Sequence, residues 1–192
     1  MDRLSLVALL LLAACEGGSK TTAPATAPSR VDAVAAAPKK EANTAEFCEA
    51  RPNRTFAFPE LDSPVPGTGN GWRWVNVWAT WCGPCIEEMP RLAAWEQKLS
   101  AGGNPVDVQF LSVDAKADDV TQFRAKHPST PESVRIQNLD LLAPWLTSVG
   151  LDANAVLPLH LFVSPEGTLS CVRMGAVNDA DYDVVKAVLS GK

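Results

Sequence analysis

Two thiols two residues apart are the first candidates for chemistry: Cys82 and Cys85, in the stretch WATWCGPCIEEMP (78–90). Such a pair can clasp a metal, staple the chain, or make and break a disulfide. A structural zinc site takes four ligands, usually from two such pairs. The remaining candidates, Cys48, Cys171, His127 and His160, show no second knuckle in the sequence, so no metal is expected. A disulfide across two intervening residues constrains the unfolded chain little. That spacing is a poor staple and suits a pair that exchanges. The attacking species is the thiolate, so the reactive cysteine must sit where negative charge is favoured. A helix start, with its unpaired amides and its dipole, is such a place. Cys82 comes first and is the expected nucleophile. Cys85, one turn deeper, is expected to resolve the mixed disulfide that Cys82 forms. Gly83 keeps the approach to Cys82 open, and Pro84 costs little where no amide hydrogen is needed. Trp78 and Trp81 flank the pair and are expected to shape an apolar rim for substrate. Trp72, Trp74, Trp95 and Trp145 read as packing residues.

To stand at a helix start, the pair must be delivered by a strand. Residues 72–78 (WRWVNVW) have the aromatic and β-branched content of a buried strand. The pattern then predicts a helix from the CGPC to Ser100, ended by AGGNP (101–105). Pro90 falls inside it and is expected to bend it. Before the strand, Phe56 and Phe58 alternate ahead of Pro59 and predict a short first strand. After the helix come a buried strand over 106–114, a helix over 117–126, and a helix over 139–149 broken or kinked at Pro144. A strand at 159–163, a turn at 165–167, a hairpin partner at 168–174 and a helix at 179–189 complete the order. This is an α/β chain: a central mixed sheet with helices on both faces.

The N-terminus reads differently. Residues 4–14 (LSLVALLLLAA) form an apolar run of the length of a signal-peptide core, well short of the roughly 20 residues that span a bilayer. They end in LAAC (12–15), which resembles the bacterial lipobox. The resemblance implies cleavage before Cys15 and lipid attachment to its sulfur, holding the protein at a membrane surface. From Glu16 the chain is rich in Ala, Pro, Thr and Ser, with no aromatic residue before Phe47. It cannot bury enough apolar surface to offset its entropy. The expected organisation is a lipoprotein signal peptide (1–14), a lipidated Cys15 with a flexible, disordered tether (15–45), and one folded domain (46–192). A net charge of −5 argues against a nucleic-acid surface.

The stretch WVNVWATWCGPC resembles the active-site strand and helix start of thioredoxin-like proteins. VNVWATWCGPCIEEMP (75–90) is more closely similar to the membrane-anchored TlpA/ResA-like thiol–disulfide oxidoreductases. The likeness runs over about 56–189, and its specific part is 75–90. It implies a thioredoxin fold, no cofactor, and dithiol–disulfide exchange on exported client proteins. Thioredoxins proper place a buried aspartate six residues before the first cysteine; here that residue is Asn76, which cannot take a proton. TlpA/ResA-like proteins instead carry a glutamate three residues after the second cysteine, here Glu88. At i, i+3 on a helix it shares a face with Cys85, and a carboxylate there is expected to exchange a proton with the Cys85 sulfur. The family also sets a cis-proline opposite the sulfurs. VLPLHLFV (156–163) supplies Pro158, which would leave the backbone of Leu157 open to an extended substrate segment. His160, two residues on, reads as structural.

Cys48 and Cys171 remain. In an oxidising compartment leftover thiols tend to pair, so a Cys48–Cys171 disulfide is predicted, either as a staple or as a relay to Cys82–Cys85. The first functional expectation is a lipid-anchored oxidoreductase of the bacterial cell envelope, facing the periplasm, at either membrane. CGPC is also the motif of thioredoxin, whose potential is about −270 mV against about −120 mV for a strong oxidant, which points to the reducing direction. A reductant there needs a membrane electron donor. The resemblance implies clients such as apoproteins of cytochrome c or of copper sites. The alternative is a copper-handling module built on Cys82, Cys85 and a histidine, and a thiol peroxidase is a third possibility.

Overall fold

The computed structural model describes residues 42–65 and 69–191. The apolar leader, Cys15 and the tether as far as residue 41 lie outside them. The first element is a short helix, α1 (Thr44–Phe47), begun by Asn43, whose side chain accepts the amides of Ala45 and Glu46. It starts two residues before the expected domain start, inside the segment read as tether.

Six strands follow in one sheet: β1 (Arg54–Thr55), β2 (Trp72–Trp78), β3 (Val106–Ser112), β4 (Ser133–Arg135), β5 (Leu159–Val163) and β6 (Thr168–Met174), in the order β1-β6-β5-β2-β3-β4. The β2–β3 and β3–β4 pairs are parallel; β2–β5, β5–β6 and β1–β6 are antiparallel. A parallel neighbour requires a crossover, and α2 (Gly83–Ala101) supplies it between β2 and β3. Cys85, Glu88, Met89, Leu92, Trp95 and Leu99 are its buried residues, recurring every three or four positions. The other helices are α3 (Ala117–Lys126), α4 (Leu142–Ser148) and α5 (Tyr182–Val188).

β2 lies in the middle of the sheet and is buried on both faces from Trp74 to Trp78. Strand alternation sends Trp74 and Asn76 to one face, together with their β5 partners Phe162 and His160. There Trp74 meets Phe162 at 4.9 Å and Trp95 of α2 at 6.2 Å between ring centroids. Phe47 of α1 lies 6.0 Å from Phe162. Val75, Val77 and Leu161 point the other way and are equally buried, so the sheet is covered on both sides.

The sequence reading departs from this structure at several places. The first strand is Arg54–Thr55, not the phenylalanines. Phe56 adds one more bond to Gly167, after which Phe56 and Phe58 stack edge to face and Phe58 lies under the Arg73 guanidinium. Alternation arose there from packing, not from a ladder. The edge strand β4 has only three residues, too few for a periodic signal. The segment 139–149 does break, but ahead of Pro144: a 3-10 turn at Leu139–Leu141 precedes α4. Pro144 then sits in the first turn of α4, where its missing amide hydrogen is harmless. The last helix likewise opens with a 3-10 turn, Asp179–Asp181, capped reciprocally by Asn178 and Asp181. Pro90 lies on the exposed side of α2, and the helix continues through it to Ala101.

Candidate active site

β2 ends at Trp78, and after four residues the chain enters α2. Cys82 is the N-cap of that helix, with extended backbone angles, and its Sγ accepts the amide of Cys85 at 3.3 Å. A cap acceptor satisfies one of the helix's orphan amides, and here the acceptor is sulfur. The two sulfurs are bonded, with Cα atoms 5.3 Å apart. Cys82 keeps 6% of its surface and Cys85 none, so Cys82 is the more accessible of the two. Gly83 and Pro84 are exposed, and a side chain added at Gly83 would meet nothing within 4 Å.

Val77 of β2 pairs with Leu159 of β5. The loop into Cys82 and the loop into β5 therefore leave the same edge of the sheet. On that second loop the Leu157–Pro158 peptide is cis, Pro158 is buried, and Leu157 is half-buried. Each loop presents one large apolar side chain to solvent: Trp81, 70% exposed, and Val156, 64% exposed. Trp78 does not join that rim. It is wholly buried, with its ring nitrogen donating to Ser133 Oγ at 2.9 Å. Strand alternation turns it into the core while Trp81, beyond the strand, is free to face out.

Glu88 is only 1% exposed, unlike its exposed neighbour Glu87. Its Oε1 accepts Asn76 Nδ2 at 2.8 Å, and its Oε2 accepts the Val177 amide at 2.9 Å. His160 Nε2 lies 3.5 Å from Oε2, and the other ring nitrogen accepts Trp74 Nε1 at 3.1 Å. These contacts form a buried polar chain running from β2 and β5 to the first turns of α2. Sequence reasoning singled out Asn76, Glu88 and His160 separately but did not join them. Asn76 and His160 are cross-strand partners, a pairing that needs the β2–β5 register, which no local pattern reveals.

A second buried carboxylate was missed altogether. Asp114, at the end of β3, accepts the Thr80 amide through both oxygens (3.2 and 3.0 Å), the Thr80 hydroxyl at 2.7 Å and the Ser112 hydroxyl at 2.8 Å. Thr80 lies two residues before Cys82, so Asp114 pins the loop that leads to it. The available signal was an aspartate closing a run of buried-strand residues.

Cys48 and Cys171 are bonded, with Cα atoms 5.4 Å apart. Both are buried, Cys171 completely, between the end of α1 and β6. His127 ends α3 and stacks on Phe123. Among the described residues no group of three or more His, Cys, Asp or Glu side chains is placed to hold a metal.

No protein-family model matches the chain. Solved structures do. A thioredoxin-related protein from Neisseria meningitidis serogroup B is 28% identical, covering 63% of this chain and 86% of its own, with a TM-score of 0.51. A thioredoxin family thiol:disulfide interchange protein from Chlorobium tepidum TLS is 19% identical over 70% of this chain and 99% of that one, at TM-score 0.49. The thioredoxin domain of a thiol-disulfide oxidoreductase from Bacteroides vulgatus is 21% identical over 62% and 80%, also at 0.49. The sheet order, the helix-capping C-x-x-C with a cis-proline on the same edge, and the likeness to the Neisseria structure agree: this chain belongs to the thioredoxin-like superfamily.

Proposed function

We propose that the chain is a TlpA/ResA-like thiol–disulfide oxidoreductase of the bacterial cell envelope, anchored by lipid at Cys15 and working as a reductant of exported proteins. The observation that carries the reading is the position of Cys82: its sulfur caps α2 and accepts an amide, and it is the more accessible of the pair. The same amide and the helix dipole favour negative charge on that sulfur once the disulfide is reduced.

The reaction balances with these two thiols alone. The Cys82 thiolate attacks a client disulfide, forms one S–S bond and expels a client thiolate. Cys85 loses its proton, attacks the Cys82 sulfur of the mixed disulfide and releases the second client thiolate. The client gains two electrons, and the Cys82–Cys85 disulfide that remains must be re-reduced by a membrane donor. In this reading Glu88 takes the Cys85 proton, while Trp81, Gly83, Pro84, Leu157 and Pro158 form the surface that receives an extended client segment. Cys48–Cys171 acts as a staple.

A copper-handling module would need a histidine beside the pair. His160 is turned to Trp74 and Glu88, and His127 lies at the end of α3, so no observation favours that reading. The test is exchange with a disulfide-bonded protein. Cys82→Ser abolishes it, and Cys85→Ser accumulates a covalent mixed disulfide through Cys82. Glu88→Gln slows exchange near neutral pH, and unchanged pH–rate behaviour in that variant removes Glu88 from the mechanism. Equilibration with glutathione should give a potential near thioredoxin's, about −270 mV; a value near −120 mV would reverse the direction.

A further inference from the structure

The buried chain beneath α2 fixes a hydrogen atom as well as a carboxylate. An indole nitrogen can only donate, and Trp74 Nε1 lies 3.1 Å from His160 Nδ1. Asn76 Nδ2, a second donor, lies 3.4 Å from the same ring nitrogen. His160 Nδ1 therefore carries no hydrogen, and the neutral ring holds its one N–H on Nε2. That nitrogen lies 3.5 Å from Glu88 Oε2. A doubly protonated ring would set one N–H against another at Trp74, so Trp74 selects the tautomer whose N–H lies on the Glu88 side, buried and without a formed hydrogen bond.

We propose that His160 is a positioning residue: locked by Trp74 as the Nε2–H tautomer, it sets an N–H 3.5 Å from Glu88 Oε2, a polar contact too long for a formed hydrogen bond, which adds to the bonds from Asn76 and Val177 that hold the carboxylate one helical turn from Cys85. The functional part of this inference rests on the role proposed above for Glu88. Other charges near the cluster are committed elsewhere. Arg173, the cross-strand neighbour of His160, pairs with Glu49 at 3.0 Å. Arg91 of α2 pairs with Asp179 at 3.0 Å and donates to the Val177 carbonyl at 3.0 Å. Among the described contacts of Glu88, His160 is the titratable one.

Removing the Nε2–H leaves the charge of the buried Glu88 carboxylate less stabilised, so exchange that depends on that charge is lost first on the acid limb of the rate profile, which moves to higher pH. Two variants separate this from simple loss of packing. His160→Asn places an oxygen near the old Nδ1 and can still accept from Trp74, but it offers Glu88 nothing. His160→Gln reaches the Nε2 position with an amide donor.

The experiment has two arms. Nitrogen-15 shifts of the His160 ring in the wild-type protein should show a bare Nδ1 and a protonated Nε2. A hydrogen on Nδ1, or on both nitrogens, overturns the tautomer and the proposal with it, whatever the activity. In the second arm, the pH profile of exchange with a protein disulfide should shift its acid limb upward by about one unit in His160→Asn, roughly tenfold in rate on that limb. The plateau above it should stay within about twofold, and His160→Gln should recover most of the shift. An unmoved limb in His160→Asn, or equal slowing of both variants at every pH, overturns the positioning role. If Glu88→Gln itself exchanges normally, the mechanism assigned to Glu88 fails, and the ring shifts still decide the tautomer independently. If neither variant folds, the wild-type ring shifts alone remain decisive.

Discussion

Replacing Cys48 and Cys171 together by alanine tests what the second disulfide does, and the structure sets the size of the effect. The bridged residues are 123 positions apart in sequence. Closing a loop of that length removes about 16 cal/mol/K of entropy from the unfolded chain in the chain-entropy model, or about 5 kcal/mol at 25 °C. Real unfolded chains are more compact than that model assumes, so the chain contribution is expected at about 2–4 kcal/mol. Both sulfurs are buried, and their loss leaves small voids worth about 1 kcal/mol each. The variant should therefore lose roughly 4–6 kcal/mol in urea unfolding. At about 2–4 °C per kcal/mol for a domain of this size, its Tm should drop by at least about 8 °C. Exchange through Cys82 and Cys85, measured well below the new midpoint, should stay within about twofold of wild type, because nothing in the reaction passes through the bridge. Two results refute the reasoning. A loss of stability under about 1 kcal/mol means the bridge constrains nothing that matters. A folded variant whose exchange collapses means the bridge is a relay and not a staple.

Three further substitutions probe other parts of the fold. Asp114→Ala strands the Thr80 amide and two hydroxyls in a buried site and should cost about 2–4 kcal/mol in urea unfolding; it should also slow exchange, because the loop into Cys82 loosens, and a double cycle with Thr80→Val should show coupling. Trp81→Ala should reduce exchange with a protein disulfide by about tenfold while leaving exchange with a small dithiol nearly unchanged, since only the larger substrate reaches the rim; equal losses for both would deny Trp81 a docking role. Glu96 on α2 accepts the Val108 amide, and burial, together with the nearby Asp107 charge, raises its carboxyl above the usual range despite that bond. A raised acid binds its proton more readily folded than unfolded, so its ionisation lowers stability as pH rises from the unfolded value through the folded one, and the loss persists at neutral pH; Glu96→Gln should be at least as stable as wild type at pH 7 and lose the advantage at pH 4, as thermal melts at both values would read.

How much of this could be read from the chain depends on the range of the interaction. Strand β2 and helix α2 were legible because aromatic content, Gly–Pro punctuation and helical spacing are all local. Helix α3 was read residue for residue, and the β5–β6 hairpin followed from its turn. The misses share a cause. Phe56 and Phe58 alternate without a partner strand, β4 is only three residues long, and the break before Pro144 depends on where α4 docks. At the site, the cysteines and the proline stand in local motifs. Asp114 acts through Thr80, 34 positions away, and His160 through Trp74, 86 away. Such partners become visible only once the strand register is known.

That register also explains why an asparagine stands where thioredoxins proper keep an aspartate. Asn76 Nδ2 lies 2.8 Å from Glu88 Oε1. A carboxylate in its place would set two like charges at hydrogen-bond distance in a dry interior, and such a pair must share a proton. The amide removes that repulsion and adds a donor, so the neutral residue in β2 and the acid in α2 are two halves of one arrangement. The site therefore keeps a single acid beneath the helix start while the other, Asp114, is saturated by hydrogen bonds from the loop. Glu88 stands one helical turn after Cys85, and Asp114 holds Thr80, two residues before Cys82. The donors around each of these acids, Asn76 and the Val177 amide on one side and Thr80 and Ser112 on the other, spread the carboxylate charge and, in the proposed mechanism, limit how much of it a Cys82 thiolate must oppose. The helix amides that already favour that thiolate can then prevail.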